Sequence, residues 1–171
     1  MQKLKDKEFG AVPQFVSHTN PEAKVETSIE QYKEYSIEEA YKGNNLFWGV
    51  HHHVGDYVTF EMTPPVKISS IKIVSGNLEH PLDHFYNTTV ELLLDSVDFW
   101  NNSEDFWNNS KDFSNKFEKL SDNFIVVGGF DILGVFQTDL TFDQNVSQIR
   151  ISVHNLSENW VIISEIEIKT S

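Results

Sequence analysis

The sequence predicts an all-β protein, an antiparallel β-sandwich, because short runs of alternating apolar and polar residues recur along the chain. Residues 57–62 place Val58, Phe60 and Met62 on one face of an extended segment, and residues 149–153 repeat the pattern. No helical period continues beyond two turns. Glycines separate these runs, as expected of turn residues. Runs of this kind indicate strands with one buried face and one wet face.

The first 27 residues differ from the rest of the chain, because they are polar, contain two prolines and show no sustained period. We predict a linker and irregular structure over residues 1–27, followed by one sandwich domain over residues 28–171. About seven or eight strands are expected in that domain. Besides the two runs above, they are predicted at residues 66–73, 90–94, 124–127, 135–140 and 161–168.

One short helix is predicted over Ile37–Lys42. Ser36 followed three residues later by Glu39 forms a capping box, in which each side chain satisfies a free backbone N–H of the first helical turn. Gly43 then ends the helix.

Composition excludes several classes of protein. The net charge is −13, which argues against nucleic acid and against direct contact with an anionic membrane. Cysteine is absent, so neither disulfides nor thiolate metal sites can form. No run reaches the roughly 18 apolar residues of a membrane span. We expect a soluble fragment that contacts no membrane directly.

The richest segment for function is Ser75 to Glu91, SGNLEHPLDHFYNTTVE. It lies between two predicted strands, so it is expected to be a loop held at both ends by a sheet. Loops on rigid scaffolds often carry binding groups. Polar side chains crowd this loop, and groups of this kind bind neutral polyols: Asn77, Glu79, His80, Asp83, His84 and Asn87.

This segment, SGNLEHPLDHFYNTTVEL, together with KLKDKEFG, AYKGNNLFW and WVIISEIEIK, resembles the C-terminal domain of the glycoprotein 4-beta-N-acetylglucosaminyltransferases. The resemblance implies a jelly-roll or discoidin-like sandwich similar to family 32 carbohydrate-binding modules. It also implies a non-catalytic lectin module that binds terminal N-acetylglucosamine of N-glycans and regulates or targets an attached catalytic domain. The setting it implies is the Golgi lumen, within a type II membrane protein, with secretion after cleavage as the alternative.

Asp83 is the best candidate for sugar recognition, because a carboxylate that accepts from two adjacent hydroxyls reads their relative orientation. His80 and His84 flank it and can donate to a sugar oxygen. Glu79 is the alternative carboxylate. Asn87 opens the next strand and can both donate and accept, as an Asn at that place does in the similar modules. Asn77 completes the predicted polar set.

A sugar site also needs an aromatic wall, and several side chains are candidates. Trp48 is included in the predicted site, although a Trp at a strand edge is more often packed in the core. Trp160 is a second candidate of the same kind, and Phe85 and Tyr86 within the loop are others.

Other interpretations stay open at this point. Asn77, Asp83 and Asn87 can instead cap the loop's own backbone. Glu79 and Asp83 could also serve as the two carboxylates of a glycosidase, which lie roughly 5–10 Å apart. A protein-docking or scaffold domain without a sugar site is the main alternative.

We predict no cofactor and no metal. The triplet His51–His53 is expected to be a solvated turn, since successive extended side chains alternate in direction. An insert over residues 95–117 contains the repeat DFWNNSE/DFWNNSK, which we interpret as a lineage-specific insertion. Sequons for N-glycosylation occur at Asn87, Asn101, Asn108, Asn145 and Asn155.

Overall fold

The computed structural model describes residues 19–95, 124–141 and 143–171. In this part of the chain, two antiparallel sheets pack face to face, which confirms the predicted β-sandwich. The five-stranded sheet contains β1 (Lys24–Thr27), β3 (Tyr57–Val66), β5 (Thr88–Asp95), β6 (Phe124–Gly129) and β8 (Asn145–Val153). The four-stranded sheet contains β2 (Phe47–Gly49), β4 (Ile68–Ser75), β7 (Val135–Asp139) and β9 (Val161–Thr170). Their orders are β1-β3-β8-β5-β6 and β2-β9-β4-β7.

The core lies between the two sheets and is built by the period-two pattern seen in the sequence. Val58, Phe60 and Met62 of β3 are buried, with Ile149 and Ile151 beside them on β8. The four-stranded sheet contributes a matching inner face of buried residues: Ile71, Ile73, Phe136, Ile163, Ile166 and Ile168. Each fully buried aliphatic side chain contributes roughly 1.5–3 kcal/mol of transfer free energy, so burial of these two faces is the main stabilising term.

The predicted helix is present as α1 (Ile37–Lys42), between β1 and β2. The backbone N–H of Glu39 donates to Ser36 Oγ at 3.2 Å, so Ser36 caps the helix as expected. Gly43 ends it with φ = 79°, a left-handed conformation that favours glycine. Ile37, Ala40 and Tyr41 bury one face of α1 against the sandwich.

Two strands were not predicted. β1 lies inside the segment 1–27 that we expected to be a linker and irregular structure, and it pairs with β3 at the edge of the sheet. Its alternate residues Lys24 and Glu26 are exposed and charged, and the strand has only four residues, so no apolar alternation marks it. β2 has three residues, which is too short for a periodic signal. The repeat at residues 98–113 and the sequons Asn101 and Asn108 lie outside the described residues.

Four connections lie at one end of the sandwich. Because every pairing is antiparallel, the loops β2–β3, β4–β5, β6–β7 and β8–β9 all emerge from the same end. The loop β4–β5 is residues 76–87, the core of the segment singled out in the sequence. Within the described residues, no helix is long and apolar enough to cross a membrane.

Candidate functional site

The loop 76–87 is fixed to β9 by backbone hydrogen bonds. The N–H of Gly76 donates to the carbonyl of Ile162 at 2.7 Å, and the N–H of Ile162 donates to the carbonyl of Asp83 at 2.8 Å. Gly76 has φ = 77°, a conformation that a side chain at this position would strain. The loop therefore continues the pairing of β4 with β9 and places Asp83 beside the first residues of β9.

The middle of the loop is anchored in the protein interior. Phe85 is fully buried, and its N–H donates to Ser75 Oγ at 3.0 Å. Ser75 Oγ in turn donates to the carbonyl of Gly134 in the β6–β7 turn at 2.7 Å. Phe85 is thus a core residue, so its prediction as a candidate for the sugar-facing wall is wrong. Tyr86 is half-buried, and its ring lies 4.1 Å from that of His84, centroid to centroid.

A cluster of aromatic rings lies next to this loop. Residues 30–35 run along the free edge of β2. The N–H of Tyr32 donates to the carbonyl of Trp48 at 2.7 Å, and the N–H of Trp48 donates to the carbonyl of Tyr35 at 3.1 Å. This pairing brings both tyrosine rings to Trp48, with centroid distances of 5.1 Å and 5.6 Å. Trp160 joins the cluster at 4.9 Å from Tyr32 and 6.0 Å from Trp48.

All four rings of this aromatic cluster are half-buried. Trp48 is central to it, and its indole Nε1 is buried without a hydrogen-bond partner in the described residues. Trp160 faces the exposed His51 ring at 6.3 Å. Tyr32 and Tyr35 were missed in the sequence, because their contact with Trp48 depends on the pairing of two segments and leaves no local pattern.

His80 connects the aromatic cluster to Asp83. Its ring centroid lies 4.9 Å from that of Trp48, and its Nδ1 lies 3.8 Å from Asp83 Oδ2. That separation exceeds hydrogen-bonding distance. Three predicted site residues, Trp48, His80 and Asp83, are therefore brought together.

The carboxylate of Asp83 is half-buried and has no hydrogen-bond donor in the described residues. Its side chain is 19 % exposed, and no donor among the described residues makes a hydrogen bond to its oxygens. Burial raises the pKa of Asp83 above its ordinary value, against the opposing effects of His80 and His84. A partly desolvated carboxylate without donors gains more from new hydrogen bonds than a solvated one.

The remaining predicted residues differ in position. Asn77 Oδ1 accepts from the N–H of His80 at 2.7 Å, so it caps the loop, as the alternative interpretation proposed. Glu79 is exposed beside His80. Asn87 is also exposed, with φ = 43°, but it leads into β5 of the five-stranded sheet, and its carbonyl accepts from the N–H of His154 at 3.2 Å.

The histidine triplet is only partly a solvated turn. His51 and His53 are exposed, but His52 is fully buried and contacts Phe85 with ring centroids 5.8 Å apart. Burial lowers the pKa of His52, so it is neutral in the folded protein. The expectation of a solvated turn is therefore wrong for His52. Among the residues that the structure describes, no group of three His, Cys, Asp or Glu could hold a metal ion.

This arrangement suits the binding of a neutral, hydroxylated ring. Asp83 offers two acceptor oxygens, His80 offers a ring nitrogen, and the aromatic cluster offers an apolar surface for C–H groups. The site has a negative charge at its centre, which disfavours anionic ligands.

Comparison with known proteins identifies the family. The model of the MGAT4 C-terminal domain matches residues 23–165. A zebrafish (Danio rerio) alpha-1,3-mannosyl-glycoprotein 4-beta-N-acetylglucosaminyltransferase B is 35% identical over 170 residues, which cover 99% of this chain and 30% of the relative. The chain thus spans less than a third of that relative's length.

Solved structures confirm the discoidin-like sandwich. A family 32 carbohydrate-binding module of C. perfringens NanJ, in complex with galactose, superposes with a TM-score of 0.53 at 13% identity over 85% of this chain and 92% of that one. A chitosan-binding module from Paenibacillus sp. IK-5, in complex with chitotriose, superposes with a TM-score of 0.56 at 11% identity. The match covers 87% of this chain and 97% of that module. At such identities the likeness shows the fold alone. The family match and the zebrafish relative together show that this chain belongs to the family of MGAT4 C-terminal domains.

Proposed function

We propose that this chain is a non-catalytic lectin module that binds terminal N-acetylglucosamine of N-glycans. The observation that carries the proposal is the half-buried Asp83 carboxylate, which accepts no hydrogen bond from the described residues and lies beside the His80 ring, which in turn contacts Trp48 of the aromatic cluster. Two adjacent sugar hydroxyls would donate to its oxygens, and the C–H groups of the ring would pack on an aromatic face. Similar folds hold galactose and chitotriose, which supports a carbohydrate as the ligand class.

The expected affinity for the monosaccharide is weak. A site with one carboxylate, one imidazole and one aromatic surface should bind in the millimolar range, which corresponds to about 4 kcal/mol. Weak binding suits a module that raises the local concentration of a glycan near an attached enzyme without blocking its release.

The attached enzyme is part of the proposal. The relatives are glycosyltransferases of which this chain matches less than a third, so we place transfer chemistry in a separate domain of the same polypeptide. The module would regulate or target that domain in the Golgi lumen. The polar loop and the aromatic cluster would serve recognition, and no reaction step is assigned to them.

Saturation-transfer NMR of N-acetylglucosamine with the wild-type chain and the Asp83→Ala variant tests the proposal. Transfer to the sugar is expected with the wild-type chain and not with the variant. Galactose and mannose are the controls for specificity. Equal transfer to N-acetylglucosamine from both proteins would remove Asp83 from the site, and no transfer from either would favour a docking or scaffold domain.

A further inference from the structure

A second concave surface lies against the same loop. Asn77 and His84 of the loop's polar set line it, but Trp48, His80 and Asp83 do not. A groove of about 560 Å³ opens between the loop 76–87 and the β6–β7 turn. Leu78, Pro81 and Leu82 form one wall, and Ile132 and Leu133 form the other. Val74, Ser164 and Glu165 also line this apolar groove. None of its lining residues belongs to the aromatic cluster.

The rim of the apolar groove exposes large hydrophobic side chains. Leu78 is 76% exposed, Leu82 63%, Ile132 90% and Leu133 73%. Seven large hydrophobic residues are exposed in the described part of the chain, and these four are among them. Four neighbouring side chains of this kind form a contiguous patch, and such patches on soluble proteins mark interaction surfaces.

The walls of the groove are held in place by the fold. Asp131 Oδ1 accepts from the N–H groups of Leu133 and Val135, both at 2.9 Å. Ser75 binds the carbonyl of Gly134 through both its N–H and its Oγ. A Cβ at Gly134 would clash with the Cβ of His84, so the turn and the loop are in close contact. The exposed apolar side chains are therefore presented by a fixed backbone.

The charge of the groove and its surroundings limits what can cover it. Glu165 lines the groove, Asp131 lies in the turn beside it, and the chain has a net charge of −13. Lys72 on β4 pairs with Glu165 on β9 at 3.4 Å and partly offsets its charge. A second copy would bring the same acidic surface to a symmetric contact. A partner with apolar side chains flanked by Lys or Arg fits better.

We propose that the apolar groove is the docking surface for the glycosyltransferase part of the same polypeptide. The chain spans 30% of the zebrafish relative's length, so most of such a polypeptide lies outside it and is available at high effective concentration. An apolar patch that is exposed in the isolated chain is buried when a neighbouring domain of the same polypeptide packs on it. This inference rests on the attached enzyme of the proposed function and not on sugar binding.

The test uses the full-length gene product with a photoreactive p-benzoylphenylalanine at one position at a time. The probe replaces Leu82 or Ile132 in the groove, and Leu156 is the matched control, because it is 63% exposed, as Leu82 is, but lies in the β8–β9 loop. After irradiation, mass spectrometry identifies the linked peptides. We expect links from the probes at positions 82 and 132 to residues outside the 171-residue chain, and no such links from the probe at position 156.

Other results would overturn the proposal. Links between two copies would make the groove a self-association surface, and links to a co-purified acceptor glycoprotein would make it part of substrate recognition. Links confined to the 171 residues would show that no other domain covers it. Titrating each probe-bearing protein with N-acetylglucosamine separates the two proposals, since binding should persist in all three whatever the links show.

Discussion

The loop 76–87 presents two unlike surfaces from one backbone. On one, the half-buried His80 ring lies between Trp48 of the aromatic cluster and the Asp83 carboxylate. On the other, Leu78 and Leu82 stand exposed over an apolar groove. A single anchored loop thus supplies a polar site and an apolar groove at once. The two are separable, because Trp48, His80 and Asp83 do not line the groove.

The shared anchor connects the two surfaces. Phe85 is buried between the sheets, with its ring 5.0 Å from Phe130 and 5.8 Å from His52, centroid to centroid. Ser75 Oγ accepts a hydrogen bond from the N–H of Phe85 and donates one to the carbonyl of Gly134 in the β6–β7 turn. A change at the anchor should therefore affect both surfaces, whereas a change at either surface should leave the other intact.

Phe85→Ala should have the largest effect, because it removes the anchor common to both surfaces. Truncating a fully buried Phe costs roughly 3–5 kcal/mol of unfolding free energy. Denaturant unfolding measures this loss, with Tyr86→Ala as the control on a half-buried neighbour. A cost below about 1 kcal/mol, within the range of surface changes, would show that the loop does not depend on Phe85.

Asp83→Ala should remove the polar surface alone. The loss of hydrogen bonds to a charged group should weaken N-acetylglucosamine binding by about 10- to 100-fold, which makes a millimolar affinity undetectable. The melting temperature should stay within about one or two degrees, as for a loop change without structural partners. Calorimetry and thermal unfolding measure the two quantities.

Asp83→Asn and Glu79→Gln are the matched controls for that change. Asp83→Asn keeps the shape of the side chain but loses the charge, so it should also lose binding. Glu79→Gln alters the exposed carboxylate beside His80 and should keep most of the affinity. A larger loss with Glu79→Gln than with Asp83→Asn would make Glu79 the recognising carboxylate.

Acid should weaken binding through the same group. Burial raises the pKa of Asp83 above 3.8 in the folded protein, and only the ionised form offers both oxygens as charged acceptors without a proton of its own. Affinity should therefore fall as the pH drops through that raised pKa. The free energy of unfolding depends on pH in the opposite sense, because the folded state holds the Asp83 proton more tightly than the unfolded state. The stabilising contribution of Asp83 is therefore fully present below pH 3.8 and is lost as the pH rises through the folded pKa.

A pH titration of wild-type binding by calorimetry measures the effect, and carbon-detected NMR of the Asp83 carboxyl reports its own protonation. The midpoints of the two curves should coincide. An affinity that stays constant below the pH at which NMR shows the Asp83 carboxyl protonated would contradict a recognising role for this carboxylate.

Leu82→Asp should have the smallest effect on sugar binding. Leu82 lines the apolar groove and is 63% exposed, so the affinity for N-acetylglucosamine should change by no more than about twofold, the equivalent of about 0.5 kcal/mol. Calorimetry on this variant and on Leu156→Asp gives the comparison. A loss as large as that of Asp83→Ala would show that the two surfaces are one.

The sequence predicted the parts of the fold that depend on local pattern. β3, β5 and β8 alternate apolar and polar residues and were found near their observed places, and Ser36 marked the start of α1. β1 and β2 were missed because four or three residues carry no period. His52 was misread, because its burial comes from packing against Phe85, which nothing local in the sequence indicates.

The candidate site was predicted in part. The residues Trp48, His80 and Asp83 were chosen for their chemistry, and the fold brings them together. Asn87 stays a prediction: it is exposed at the end of the loop, where the chain enters β5 of the five-stranded sheet. Tyr32 and Tyr35 could not be found without knowing that their segment pairs with the edge of β2.

The most direct test of the lectin proposal is a proton–nitrogen NMR titration of the chain with N-acetylglucosamine, with galactose and mannose as controls. We predict saturable shifts for N-acetylglucosamine only, confined to amides of residues 75–91 and of the segments that carry the aromatic cluster. The absence of shifts with all three sugars, or shifts spread equally over the protein, would contradict a carbohydrate site at this end of the sandwich.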